Sequence, residues 1–238
     1  MGRPFAAYGI LMLAIVPTPL GNLEDMTPRA LRALREAAAV YCEDTRRTRA
    51  LMSHFGISTP LLRYNEHDER DNRRILERLA AGENLALVSD GGLPCISDPG
   101  RRLVSWASRQ GTPVTVLPGP SAAAAAVAGS GLPGDSYVFL GFLPRGQGKQ
   151  KNILQETAVL CRTMVIYESP YRVVELLATA EEVLGPKTQA CVARELSKIH
   201  EEWLRGTLAE VRATLGQRAQ ILGEFVVVLH PEEAPEHA

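Results

Sequence analysis

The 238-residue chain is 45% hydrophobic and 22% charged with a net charge of −1, which suits one large buried core or two modest ones and excludes a disordered polymer. Its four cysteines, Cys42, Cys95, Cys161 and Cys191, are widely spaced without a Cys-x-x-Cys pair, which argues against a disulfide framework or zinc knuckle and points to a reducing cytoplasm. The apolar run Phe5–Val16 flows into Pro17-Thr18-Pro19 without a small-residue cleavage pattern, and no segment approaches the roughly 20 apolar residues that span a bilayer.

In chain order, Ile10–Val16 reads as a strand, and Thr27-Pro28 opens a helix with a capping hydroxyl and a proline at its first position. Ala38–Glu43 is a second strand, Thr45–Phe55 a helix stopped at Gly56, Leu61–Tyr64 a strand, and Asp68–Ala81 a helix closed by Gly82. Leu85–Ser89 is a buried strand, Arg101–Gln110 a helix ended by Gly111, Val114–Leu117 a strand and Ser121–Ala128 an alanine-rich helix. The alternation predicts an α/β fold with a largely parallel sheet whose ligand loops sit at carboxyl ends of strands. The breaker cluster Gly129-Ser130-Gly131-Leu132-Pro133-Gly134-Asp135 places a domain boundary there, giving domains 1–130 and 131–238. The second α/β unit is expected to hold strands Tyr137–Phe142, Thr163–Glu168, Gln189–Arg194 and Phe225–Leu229 with helices Tyr171–Leu184 and Leu208–Leu215, before an acidic, frayed end.

Three turn-rich loops follow strands. Ser89-Asp90-Gly91-Gly92-Leu93-Pro94-Cys95-Ile96-Ser97-Asp98-Pro99-Gly100 combines glycines that allow close approach, prolines that fix φ and two carboxylates that accept hydrogen bonds. Pro17-Thr18-Pro19-Leu20-Gly21-Asn22 and Pro118-Gly119-Pro120-Ser121 have the same character. One such loop is an ordinary tight turn; three suggest a site. There is no Gly-x-Gly-x-x-Gly after the first strand and no Gly-x-x-x-x-Gly-Lys-Ser/Thr, and the five histidines lack metal-ligand spacing. Between Asp44 and Arg78 eight arginines stand against six acids, and Pro144–Lys151 carries three bases and no acid, whereas from Glu195 onward eight acids face four bases. A polyanion should meet the earlier patches, unless they are solvated helix faces.

Eight blocks are similar to a known family: Thr18-Pro19-Leu20-Gly21-Asn22-Leu23-Glu24-Asp25, Glu43-Asp44-Thr45-Arg46, the long glycine loop, Leu117-Pro118-Gly119-Pro120-Ser121-Ala122, Gly141-Phe142-Leu143-Pro144-Arg145, Tyr167-Glu168-Ser169-Pro170, Ala193-Arg194-Glu195-Leu196 and His200-Glu201-Glu202. In order, and spanning nearly the whole chain, they resemble the ribosomal RNA small subunit methyltransferase I family. The resemblance implies the two-domain tetrapyrrole-methylase (class III methyltransferase) fold with a cleft between domains, S-adenosyl-L-methionine (S-adenosylmethionine) as methyl donor, a homodimer, and methylation of a cytidine ribose 2′-hydroxyl in 16S rRNA of the small ribosomal subunit. Gly91, Leu93, Cys95 and Tyr171 depart from the family pattern of Ala, Thr, Gly and His.

A sulfonium donor with an amino-acid head and an adenosine needs carboxylates or carbonyls, exposed amides and an apolar slot. Under the resemblance, Pro19 and Gly21 form one wall, Asp90, Gly91, Gly92, Ile96 and Ser97 the floor, Ser121 and Ala122 the polar edge, and Tyr167, Ala193, Leu196 and Glu224 the second-domain side. Asp44 and Glu168 are the catalytic candidates, with capping of the following segments as the other reading; Glu66, His67 and Lys198 are further possibilities for a base or for positioning. Arg46, Arg47 and Arg49, with Arg145, Lys149 and Lys151 on a clamp-like loop, are the expected RNA contacts. Tetrapyrrole methylation on the same fold and a non-catalytic RNA-binding module are the rival functions.

Overall fold

A computed structural model describes residues 13–231; the expected strand start at Ile10 and the frayed acidic end fall outside them. The chain divides into two compact units after Ser121.

The first unit is a wound α/β layer: β1 Leu13–Val16, α1 Pro28–Glu36, β2 Ala39–Cys42, α2 Thr45–His54, β3 Leu61–Arg63, α3 Glu69–Ala80, β4 Leu85–Val88, α4 Arg101–Arg109 and β5 Val114–Val116. The strand order is β3-β2-β4-β1-β5, and every neighbouring pair is parallel. Side chains alternate between faces. Leu13, Ile15, Tyr41, Leu85 and Leu87 meet α3 and α4 through Ile75, Leu79, Leu103 and Ala107. Ala14, Val16, Val40, Ala86 and Val88 meet α1 and α2 through Ala30, Leu34 and Met52. With both faces covered, all four residues of β1, β2 and β4 are buried, which is why these strands read as continuous apolar runs. The helices start where side-chain acceptors occur: Thr27 accepts from the Ala30 amide, Asp44 from Arg46 and Asp68 from Arg70.

The second unit runs α5 Ala122–Ser130, β6 Tyr137–Phe142, α6 Gln147–Ala158, β7 Thr163–Glu168, α7 Val173–Leu184, β8 Gln189–Arg194, β9 Glu202–Thr207, α8 Leu208–Gly216 and β10 Phe225–His230. Its sheet order is β6-β7-β10-β8-β9, with β6 and β7 parallel and the other pairs antiparallel. One core joins Leu154, Ile166, Leu176, Val192, Val211 and Val227. Among the described residues no helix is long and apolar enough to cross a membrane.

Three features differ from the sequence reading. The expected Arg145–Lys151 loop is largely the first turns of α6: its glycine and lysines hide a helix whose docking surface, Leu154 and Ala158, comes later. β9 was not expected, because this edge strand mixes Glu202, Arg205 and Gly206 with few apolar residues. The division precedes α5 rather than following Ser130. Helix α5 has apolar residues on every side and so no face that names its partner; it packs on β7, β8 and β10. Gly129, read as a breaker, is a contact point: a Cβ there would lie 2.3 Å from the Trp203 ring, and the Arg205 guanidinium donates to its carbonyl at 3.2 Å.

Gly129→Ala should therefore destabilise the protein by about 1–3 kcal/mol, because the Trp203 ring must move. Urea unfolding followed by tryptophan fluorescence measures this, and a wild-type midpoint with unchanged emission would refute the tight docking of α5.

Candidate functional site

The carboxyl ends of β2, β4, β1 and β5, adjacent in that order, carry Glu43-Asp44, residues 89–100, residues 17–22 and residues 118–121. The connection leaving β1 runs toward β2, whereas the one leaving β4 crosses to β5, so the first unit's topological switch lies between β1 and β4, where ligands of such sheets bind.

Backbone bonds pin the loops at that point. Thr18 and Gly92 exchange two bonds, each 2.9 Å; the Thr18 hydroxyl donates to the Ser89 carbonyl and the Ser89 hydroxyl to the Gly92 carbonyl, each at 3.0 Å. Gly92 takes φ 85°, and a Cβ there would meet the Leu20 side chain at 3.2 Å and the Pro120 carbonyl at 3.7 Å, so glycine brings all three loops together. Two further residues, Cys95 (φ 72°) and Ser97 (φ 60°), hold left-handed conformations without being glycine, on either side of Ile96, which is 40% exposed. Strain of this kind concentrates at sites where surrounding structure dictates the backbone. It also gives a physical reason for glycine at the Cys95 position of the family pattern. Burial pushes the Cys95 thiol up to about 11, so it is a packing group rather than a nucleophile.

The carboxylates at this edge differ in chemistry. Asp44 caps α2 and its two oxygens grip Arg46, at 3.3 Å to Nε and 3.1 Å to Nη2; the Arg46 bonds hold its carboxyl down at about 2. Asp98 lies further inside the loop, and burial, reinforced by the negative charges of Asp90 and Glu43, raises it to about 6. Asp90 is exposed and faces Arg47 at 3.7 Å. Glu66 accepts from the Arg102 amide at 2.8 Å, supplying the cap that Gly100 cannot, and exposed His67 donates its backbone amide to Asn65. Sequence reasoning placed Asp98 in the loop but did not select it; its burial is a property of the folded loop alone.

In the second unit, Glu168 is buried at the end of β7, its oxygens meeting the Ser169 amide at 2.7 Å and Arg172 Nη2 at 2.9 Å. Tyr167 stands edge-on between Phe139 and Phe142, and its hydroxyl accepts from the Ala123 amide near the start of α5, one residue after Ala122. Ala193 is wholly buried in the sheet, between Trp203 and Val226. Leu196 lies in a strained loop, flanked by Glu195 at φ 53° and Ser197 at φ 63°. Lys198 Nζ joins Glu195 Oε1 at 2.8 Å and Glu224 Oε2 at 3.1 Å, while the Glu224 amide donates to Glu195 at 2.8 Å. Burial opposes the Lys198 charge, but these two carboxylates outweigh it and raise its pKa, so the ammonium ties two loops and is unfit to be a base.

The expected RNA contacts separate in the same way. Arg46 is committed to Asp44, Arg47 faces Asp90, and Lys151 pairs with Glu182. Arg49, Arg145 and Lys149 are exposed. Arg70 and Arg78 of the arginine-rich segment also hold carboxylates, Asp68 and Glu83.

Comparison with known proteins agrees with this architecture. Residues 12–212 match the family of Tetrapyrrole (Corrin/Porphyrin) Methylases. The chain is 44% identical to the ribosomal RNA small subunit methyltransferase I of Halalkalibacterium halodurans, over 91% of this chain and 75% of the relative. It is 45% identical to that of Pseudomonas aeruginosa, over 94% and 80%, and 43% identical to that of Thermotoga maritima, over 93% and 99%. Among solved structures, diphthine synthase matches with a TM-score of 0.70 at 18% identity, covering 92% of this chain and 90% of that one. A uroporphyrin III C-methyltransferase from Thermus thermophilus, complexed with S-adenosyl homocysteine, matches with a TM-score of 0.63 at 21% identity, covering 91% and 96%. These structures share the class III methyltransferase fold.

Asp98 binds its proton more tightly in the folded chain than in the unfolded one, so stability falls as pH rises from about 4 to 6 and stays reduced above. Asp98→Asn should flatten that limb and raise stability at pH 7 by about 1–2 kcal/mol. Urea midpoints at pH 4 and pH 7 measure it; a variant that keeps the wild-type pH dependence would show that another group causes it.

Proposed function

Because the chain belongs to the ribosomal RNA small subunit methyltransferase I family, within the tetrapyrrole methylases, we propose that it methylates the 2′-hydroxyl of a cytidine ribose in 16S rRNA from S-adenosylmethionine. The observation that carries this reading is 43–45% identity along more than nine tenths of the chain with three relatives bearing that name. The uroporphyrin and cobalt-precorrin methyltransferases of the same fold reach only 14–21%, which disfavours a tetrapyrrole substrate. The active form is proposed to be a homodimer in the cytoplasm, and a light-scattering mass of one chain at micromolar concentration would reject the dimer.

When bound, S-adenosylmethionine supplies an electrophilic methyl group on a sulfonium. The first unit's loops fit such a donor: Asp90 offers a carboxylate for a cationic head, and the left-handed turns around Ile96 present backbone polar groups beside an exposed apolar side chain. Gly91 on the same loop, and Pro19, Gly21 and Ser121 on the neighbouring ones, complete that set. Holding the ribose oxygen in line supplies much of the acceleration, and a general base adds about 10²–10⁴-fold. Asp98, near 6, has the basicity for that role; Asp44, near 2, suits holding the start of α2 in place, and Glu168 in its ion pair suits holding the turn after β7.

Incubation with methyl-labelled S-adenosylmethionine and small ribosomal subunits, followed by nucleoside mass spectrometry, should yield ribose-methylated cytidine; label on a base alone, or none, would overturn the proposal. Asp90→Ala should weaken donor binding by about 1–3 kcal/mol in titration calorimetry. Asp98→Asn should lower single-turnover transfer and remove its rise through pH 6, whereas Asp44→Asn should leave that pH profile in place.

A further inference from the structure

We propose that the end of the β6–β7 pair is a platform on which unpaired RNA bases stack, built from Phe142 and Tyr171 and flanked by Arg145 and Lys149. The inference rests on the rRNA reading above and specifies how the second unit grips that substrate. Tyr171 is 89% exposed and Phe142 60%, the two most exposed Tyr, Phe or Trp side chains among the described residues. Exposing two large rings in a chain that is only 5% aromatic runs against burial.

The rings have a rigid base. Phe142 sits beside Tyr167 in the parallel register of β6 and β7, their rings edge-on at 5.6 Å, and Tyr167 packs in turn on Phe139 at 4.9 Å. The Tyr167 hydroxyl is fixed by the Ala123 amide. Tyr171 is set on the turn after β7, and the neighbouring Arg172 fastens that turn to the loop after Phe142: its Nη2 reaches the Leu143 carbonyl at 3.1 Å and the buried Glu168 carboxylate at 2.9 Å. Each exposed ring is therefore one residue from the same junction. This gives Glu168 and Arg172 a task as the anchor beneath the platform.

Charge selects the occupant. No acidic residue occurs from Tyr137 to Lys151, while Arg145 and Lys149 are exposed there. Helix α6 begins at that place with no side-chain cap on its first amides and no acid in its first turn, so its positive end adds to the two cations. Aromatic faces beside cations suit a nucleic-acid strand whose bases are splayed, because every base offers a π-face and every nucleotide a phosphate. A duplex hides the faces that the rings would use.

The test measures binding of the full-length protein to a mixed-sequence single-stranded RNA 12-mer and to the corresponding duplex across salt concentrations. Tyr171→Leu and Phe142→Leu should each weaken single-strand binding about tenfold with an unchanged salt slope. Arg145→Gln combined with Lys149→Gln should reduce the slope by about 1.4, the amount for two phosphates on a single strand. Tyr171→Phe should bind as wild type. Because Tyr171 is almost fully exposed, its variants keep the test decisive even where Phe142→Leu disturbs Tyr167. Wild-type affinity of the Tyr171→Leu variant, an equal loss on the duplex, or a fall in light-scattering mass without loss of RNA binding would overturn the platform, the last by assigning the rings to a second copy of the chain. Methyl transfer to small subunits is scored separately: a protein that stacks RNA as described yet never methylates rRNA would sink the functional reading and leave the platform standing.

Discussion

The reciprocal pair of backbone bonds between Thr18 and Gly92 is the constraint on which the first unit's site depends. β1 and β4 are neighbours in space but 71 residues separate Thr18 from Ser89, whose carbonyl takes the Thr18 hydroxyl bond. Fixing loops of that sequence separation needs a stiff base, and the four-residue parallel ladder between the two fully buried strands provides it. Once Gly92 is held, the chain must turn back through the left-handed Cys95 and Ser97 before reaching α4. Strain in the loop is thus balanced by order in the sheet, and the carboxylates carried on the loop inherit fixed surroundings.

Those surroundings explain why residues of one type diverge. Asp44 and Asp98 are indistinguishable as letters in a sequence, and both follow strands. Asp44 heads a helix whose second residue is an arginine able to fold back on it, a device repeated at Asp68 and Arg70. Asp98 has Asp90 and Glu43 as its charged neighbours and lies partly out of water. One is held down at about 2 by its arginine and the other pushed up to about 6 by burial, so proton chemistry at this edge is decided by local partners rather than by the count of carboxylates.

Much of the fold was legible because its signals are local. Thr27-Pro28, Asp44 and Asp68 mark helix starts by capping chemistry, and β6, β7 and β8 match the expected spans because each is an apolar run bounded by turn residues. What escaped was information carried by partners distant in sequence. Gly129 looks like a linker until Trp203 is placed against it, α5 has no polar face to betray which sheet it joins, and the start of α6 is helical in spite of Gly148. Of the site, the three loops were visible as turn chemistry, whereas the burial of Asp98, the burial of Ala193 and the committed state of Lys198 exist only after folding.

The same distinction governs the cationic surface. Arginine counts favour the segment from Asp44 to Arg78 as a polyanion contact, yet Arg46, Arg70 and Arg78 each grip a carboxylate. A bidentate arginine offers a phosphate less than its formal charge suggests, since the incoming anion must displace a carboxylate already in place. The short stretch from Pro144 into the first turns of α6 carries fewer bases but no acid at all, and it adjoins exposed rings. In the second unit, then, two available bases, Arg145 and Lys149, beside two exposed aromatics suit an RNA strand better than the interleaved arginines of the first, because recognition of a strand depends on which charges remain available and on what stands beside them.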